Sequence, residues 1–292
     1  MRDELLTEAV CEDTRDLSRR STREIVAAIH AADRSVPDAV ARVLPEIERA
    51  VDVLVLALQG GGRWFNVGAG TSGRLGTIDA AELLPTFGFP PDRVEGIMAG
   101  GNAALVRAAE GAEDDAAAAQ QALRERELMP GDAVLAISAS GRTPFALAAL
   151  EEARAVGARR LALTCDPESP IARAAEVSIA PLVGPEVITG STRMKGGLAQ
   201  KMVLHTLSTA VMVRLGRVEG NEMTNLVPSS RKLERRALRI VCELTGASEA
   251  CARTALAAAH GSVSGALAVL RKREPGAEGQ PRAGSLTARA AR

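Results

Sequence analysis

The sequence predicts a doubly wound α/β fold: five parallel strands in the order 2-1-3-4-5, flanked by N-terminal helices and followed by a small C-terminal helical appendage. Three observations lead there. Short apolar runs alternate with helix-length segments through the middle of the chain, the pattern of successive βαβ units. The strand-like runs are those of a parallel sheet covered on both faces. Glycines gather where runs hand over to helices, as in Gly68-Ala69-Gly70-Thr71-Ser72-Gly73.

The elements follow in order. Residues 1–53 form an arm and helices. The first twenty residues are charged and turn-rich, and a helix opens at Ser21 or Thr22 with Glu24 placed to close a capping box. Ile25, Ala28 and Ile29 supply its buried stripe. A second helix is expected from Val36 to Gln59, with Pro37 in its first turn and Gly60-Gly61-Gly62 ending it. The central domain, residues 54–217, holds the strands Arg63 to Val67, Arg93 to Met98, Ala133 to Ser138, Arg160 to Thr164 and Val177 to Pro181. Helical segments from Ala103 to Arg126 and from Pro144 to Val156 separate them, and Met194 to Leu215 is apolar at helical spacing. The appendage, residues 218–270, contains helices from Arg231 to Thr245 and from Ser248 to Ala259, punctuated by Gly246 and Gly261. Residues 271–292 carry six basic residues against two acidic ones and no aromatic residue, which reads as a disordered, solvated tail rather than a nucleic-acid arm.

Composition narrows the function. The 292 residues carry 36 basic and 36 acidic side chains, so there is no overall pull toward nucleic acid or an anionic membrane. No apolar run approaches the roughly 18 residues of a membrane span, and the start lacks the basic-then-apolar order of a signal peptide. Cys11, Cys165, Cys242 and Cys251 form no CxxC pair, so the expected location is the reducing cytoplasm. Aromatic residues make up 2% with no Tyr, so any sugar must be held by polar loops.

Two such loops stand at carboxyl ends of strands: residues 68–73 and Ser138-Ala139-Ser140-Gly141-Arg142-Thr143-Pro144. Both open helices, both let the backbone approach an anion, and Ser72, Ser138, Ser140 and Thr143 add hydroxyls, so the expected ligand is a phosphorylated small molecule. The first loop also fits GxGxxG, but the acid that grips a ribose is missing: the second strand ends Ile97-Met98-Ala99 and Glu95 lies inside it. His30, His205 and His260 have no Asp or Cys nearby in this topology, which leaves metal binding and Ser-His-Asp or Cys-His catalysis without support. General acid–base chemistry falls to carboxylates. Glu82 is followed by the apolar Leu83-Leu84-Pro85-Thr86-Phe87-Gly88, expected to desolvate it and raise its pKa, whereas Glu113 sits in a cluster of the kind that commonly faces water. Ten residues separate Ser72 from Glu82, about 15 Å along an unbroken helix. Either Gly76 breaks the helix or a second subunit brings its own Glu82, and the dimer is the preferred reading.

Several motifs together resemble a known family. Val67-Gly68-Ala69-Gly70-Thr71-Ser72-Gly73-Arg74-Leu75-Gly76, Asp79-Ala80-Ala81-Glu82, Pro85-Thr86-Phe87-Gly88, Glu110-Gly111-Ala112-Glu113-Asp114-Asp115, Ser140-Gly141-Arg142-Thr143-Pro144 and Gly190-Ser191-Thr192-Arg193-Met194-Lys195 are similar to those of N-acetylmuramic acid 6-phosphate etherases, which use the sugar isomerase (SIS) fold. The resemblance spans about residues 20–265. It implies cleavage of the ether joining D-lactate to carbon 3 of the sugar, with no metal or redox cofactor, in the recycling of cell-wall amino sugars. It also implies that Glu82 is the proton donor, Glu113 the second catalytic acid, and Thr71, Ser72, Ser138, Ser140 and Thr143 the phosphosugar-binding residues; the assembly expected from the Ser72–Glu82 separation is a homodimer with its site at the subunit interface. The stretch Thr7-Glu8-Ala9-Val10-Cys11-Glu12 departs from the family's Arg-Asn-Pro after Thr-Glu. Two other functions compete: a phosphosugar-sensing regulator, and an aldose–ketose isomerase that needs no acid at the carbon 3 ether.

Overall fold

A computed structural model describes residues 6–272, in which a five-stranded parallel sheet has the order β2-β1-β3-β4-β5. The strands are β1 (Trp64–Gly68), β2 (Val94–Met98), β3 (Ala133–Ile137), β4 (Arg159–Leu163) and β5 (Val177–Ile179). Successive residues of one strand point to opposite faces, and both faces are covered. Trp64, Leu135, Ile137, Leu161 and Leu163 enter one core, while Phe65, Val67, Val134, Ala136 and Ala162 enter the other. The edge strand β5 is shorter than the sequence predicts and stops before Pro181, which has no N–H to give a ladder.

Three helices precede the sheet: α1 (Thr22–Asp33), α2 (Val36–Ala41) and α3 (Leu44–Gln59). Ser21 and Glu24 form the expected capping box at α1. The single helix expected over 36–59 is broken, because Pro45 has no N–H for the Ala41 carbonyl and instead occupies the first turn of a new helix. The arm before α1 folds into three 3-10 turns, with Thr7 and Leu17 buried and the Thr14 hydroxyl donating to the Val187 carbonyl across 2.9 Å.

After β1 come α4 (Gly70–Ala81) and α5 (Leu83–Phe87). The helix expected over 103–126 is also broken, into α6 (Ala103–Val106), a 3-10 turn over Ala112–Asp114, and α7 (Ala116–Glu125). Arg107 turns extended, Gly111 adopts φ +71°, and Asp115 restarts the helix by accepting from Ala118 N. Then α8 (Pro144–Val156) and α9 (Pro170–Ala174) flank β4, and α10 (Lys195–Arg214) packs against α3 and α4 on one face of the sheet. Among the described residues no helix is long and apolar enough to cross a membrane.

The helix α4 approaches β2 so closely that a Cβ on Gly96 would lie 2.4 Å from Thr77 Cα, a contact with backbone that cannot rotate away. The substitution Gly96→Ala is therefore expected to cost about 1–3 kcal/mol as overpacking. Urea unfolding checks this: a lower midpoint at unchanged slope is expected, and a midpoint at or above that of the native chain contradicts the close approach.

Among the described residues, those from 222 onward form a compact unit separate from those before it. Its described part comprises α11 (Arg231–Thr245), α12 (Glu249–Ala258) and α13 (Val263–Lys272), which close a small core around Ile240, Val241, Ala252, Val263 and Ala266. The third helix was not expected from sequence, and it takes in Arg271 and Lys272, the first two residues assigned to the tail. The remainder of that tail, 273–292, lies outside the described residues.

Candidate active site

The two hydroxyl-rich loops lie side by side because β1 and β3 are neighbours in the sheet. The first carries β1 into α4. Gly70 adopts φ +53°, and a Cβ on Gly73 would come within 2.4 Å of the Gly68 carbonyl oxygen, so the turn closes only with glycine. Thr71 is half-buried. Ser72 is buried, and its hydroxyl donates to Gln200 Oε1 of α10 at 3.0 Å.

The second loop carries β3 into α8. Its hydroxyls are joined to one another: Ser138 Oγ lies 2.9 Å from Thr143 Oγ1 and 3.4 Å from Ser140 Oγ, and it accepts from Gly141 N at 3.1 Å. Ser140 Oγ accepts from Arg142 N at 3.3 Å. Gly141, at φ +66°, sits against Ser169, where a Cβ would come within 2.2 Å of the hydroxyl oxygen.

A third element completes the arrangement. The start of α10 reaches both loops: a Cβ on Gly196 would touch Ala139, and one on Gly197 would touch Thr71, each at 3.4 Å. Electrostatics separate the three helix starts. The N-terminus of α10 is closed by the buried carboxylate of Glu186, which accepts from Lys195 N at 2.9 Å and Gly196 N at 2.8 Å. Lys195, also buried, gives its ammonium to the Val183 carbonyl. Among the described residues the N-cap residues of α4 and α8, Ala69 and Thr143, make no side-chain cap bond, so the first-turn N–H groups of these helices favour an anion between the loops. Sequence reasoning assigned no role to Glu186, Lys195 or Gln200. Lys195 ends the run Gly190-Ser191-Thr192-Arg193-Met194-Lys195, while Glu186 lies in an irregular loop with no local signal.

The two carboxylates are not beside the loops in the same way. Glu82 caps the C-terminus of α4 and is exposed, so the apolar segment after it does not desolvate it as expected. Leu83 and Phe87 instead turn into the sheet core. Gly76 does not break α4: it is a point of close approach, with Asn66 Nδ2 donating to its carbonyl at 3.1 Å. Ser72 in the first turn and Glu82 past the last are thus about 15 Å apart within one chain. Glu113 lies exposed in the 3-10 turn over 112–114, which packs against α8 and rests through Ala112 on Gly100, just beyond β2.

Other titratable groups stand differently. Asp79, buried on α4, accepts from Ser208 Oγ at 3.2 Å, and burial holds its carboxyl above the usual carboxylate range. His205 lies close enough to act on Asp79 electrostatically, against the expectation that no Asp is near a histidine, but its Nδ1 is 2.7 Å from the Lys201 carbonyl within α10. Burial pushes the Cys165 thiol up to about 12, which makes it a poor nucleophile. Beside the second loop, a cavity of about 800 Å³ is bordered by Thr7 and Ala9 of the arm, Arg142, Cys165, Asp166 and Glu186.

A five-stranded parallel sheet in this order, with paired hydroxyl loops on β1 and β3, is a doubly wound α/β architecture, and the family models identify it as a sugar isomerase (SIS) domain. Family models described as "Glucokinase regulatory protein N-terminal SIS domain" and "SIS domain" match residues 46–154 and 115–210. The chain is 52% identical over 268 residues to an N-acetylmuramic acid 6-phosphate etherase of Symbiobacterium thermophilum, covering 91% of this chain and 88% of that protein. It is 51% identical to one of Mesorhizobium japonicum, covering 87% and 83%, respectively. The chain belongs to the N-acetylmuramic acid 6-phosphate etherase family, and is accordingly an enzyme, a carbon–oxygen lyase. Among solved structures, a phosphoheptose isomerase of Neisseria gonorrhoeae shares the fold with a TM-score of 0.50 and 17% identity, over 65% of this chain and 99% of its own. A ligand-bound protein of Escherichia coli CFT073 does so with a TM-score of 0.51 and 18% identity, over 69% and 97%.

Proposed function

We propose that this protein removes the D-lactyl group from N-acetylmuramic acid 6-phosphate, giving N-acetylglucosamine 6-phosphate and D-lactate, with Glu82 and Glu113 as its acid–base pair. The observation that carries the reading is identity of 48% to 52% with etherases across about nine-tenths of the chain. The paired loops support it: Thr71, Ser72, Ser138, Ser140 and Thr143, with the open starts of α4 and α8, are suited to a phosphate monoester.

In the ring-opened sugar the proton on carbon 2 lies next to an aldehyde and is acidified. One carboxylate removes it, and the ether on carbon 3 departs once a carboxylic acid protonates its oxygen, leaving an unsaturated aldehyde. Water then adds at carbon 3 and a proton returns to carbon 2, so elimination and hydration sum to hydrolysis of the ether. Glu82 is the proton donor to the departing lactate. Because α4 is unbroken, Glu82 of the partner subunit serves the loops of the first, and the enzyme works as a homodimer in the cytoplasm.

Incubation with N-acetylmuramic acid 6-phosphate and assay of free D-lactate tests the reading. Stoichiometric lactate and N-acetylglucosamine 6-phosphate are expected. A phosphosugar-sensing regulator or an aldose–ketose isomerase would release no lactate.

A further inference from the structure

Gln200 is 1% exposed and meets Ser72 at 3.0 Å, yet among the described residues its Nε2 has no hydrogen-bond partner. A buried N–H without an acceptor is rarer and costlier than a carbonyl oxygen with a spare lone pair. In this arrangement Ser72 spends its only proton on Gln200 Oε1, so toward an incoming anion the hydroxyl presents lone pairs, which repel it. A half-turn of the amide exchanges the two ends, which have nearly the same shape. Nε2 then donates to Ser72 Oγ, the orphan becomes a carbonyl oxygen, and the Ser72 proton is released toward the loop.

We propose that Gln200 is a positioning residue for phosphosugar binding, which donates to Ser72 Oγ and so aims the Ser72 proton at the phosphate. The proposal rests on the reading of the loops as the phosphosugar site. Its geometry is fixed from both sides. Glu186 anchors the first N–H groups of α10, Gly197 seats that helix against Thr71, and Gln200 follows three residues later on the turn that faces α4. Neither a carboxylate nor an aliphatic side chain replaces the amide: the first only accepts and adds a negative charge, and the second fills the space without donating.

The test is titration of N-acetylglucosamine 6-phosphate into the native protein, Gln200→Met, Gln200→Glu, Ser72→Ala and the double variant Ser72→Ala/Gln200→Met, with thermal unfolding of each. Gln200→Met keeps the shape and is expected to bind about five- to tenfold more weakly, the loss of one hydrogen bond to an anion-binding group, with kcat for lactate release within about twofold. The double variant is expected to bind no more weakly than Ser72→Ala, because Gln200 acts through that hydroxyl. Gln200→Glu should lose at least as much as Gln200→Met, and carries the comparison if Gln200→Met unfolds. Native-like affinity in Gln200→Met or in Gln200→Glu overturns the proposal, as do losses that add in the double variant. The titration needs no turnover, so a native protein that binds the phosphosugar but releases no lactate refutes the etherase reading and leaves this one standing. A native protein that binds no phosphosugar refutes both.

Discussion

Replacing Glu82 by Gln is expected to lower kcat for lactate release by about 10²- to 10⁴-fold, the range that a positioned proton donor contributes. The dissociation constant for substrate should stay within about threefold of the native value, because the amide keeps the shape of the acid and loses only the proton it transfers. The split follows from the site's geometry. In the proposed site, phosphate affinity comes from the hydroxyls and backbone N–H groups around residues 71–72 and 138–143, and among the described residues their hydrogen bonds do not involve Glu82. An exposed carboxylate on a helix end adds little packing, so Glu82→Gln should also unfold at nearly the native temperature. Steady-state kinetics paired with direct substrate titration reads both quantities. Affinity that falls in step with turnover would make Glu82 a binding residue and remove the acid from the mechanism.

The central sheet was legible because its strands are enclosed on both sides, so apolar runs such as Ala133–Ile137 stand out without needing a period. The two strand-to-helix turns were legible for a different reason: turns this sharp need glycine, as at Gly70, Gly73 and Gly141. Long helices were less so. Ala, Leu and Arg fill residues 103–126 with good helix formers, and the break there comes from Gly111 and from Asp115 capping a second start, which propensity summed over the whole segment hides. Contacts made across long sequence separations left no trace at all. Gln200 meets Ser72 from 128 residues away, and the Glu186 carboxylate reaches α10 from an irregular loop. The proposed acid–base pair shows the same limit: the expectation of a desolvated Glu82 depended on which way Leu83 and Phe87 turn, and they turn into the core.

An exposed acid about 15 Å from Ser72 makes a specific demand on assembly, and mixing two inactive variants measures it. In the proposed site, Glu82→Gln keeps its loops and lacks the donor, while Ser138→Ala/Ser140→Ala keeps the donor and lacks the hydroxyls assigned to the phosphate. If each site joins one subunit's loops to Glu82 of the partner subunit, a mixed dimer contains one intact site and one doubly defective site. Random exchange of equal amounts makes about half of all dimers mixed, so about a quarter of native activity per chain should return. The recovery must appear only on the timescale of subunit exchange, which labelled subunits followed by fluorescence transfer report independently. Full exchange without recovered lactate release would mean that each subunit completes its own site, and α4 would then have to bend or unwind between Ser72 and Glu82 when substrate binds. The packed contacts of Gly76 with Asn66 and Ile137 oppose such a bend, since opening the helix there breaks the hydrogen bond from Asn66 Nδ2 to the Gly76 carbonyl and uncovers the middle of the sheet. The unbroken helix is thus the physical reason to expect complementation between subunits.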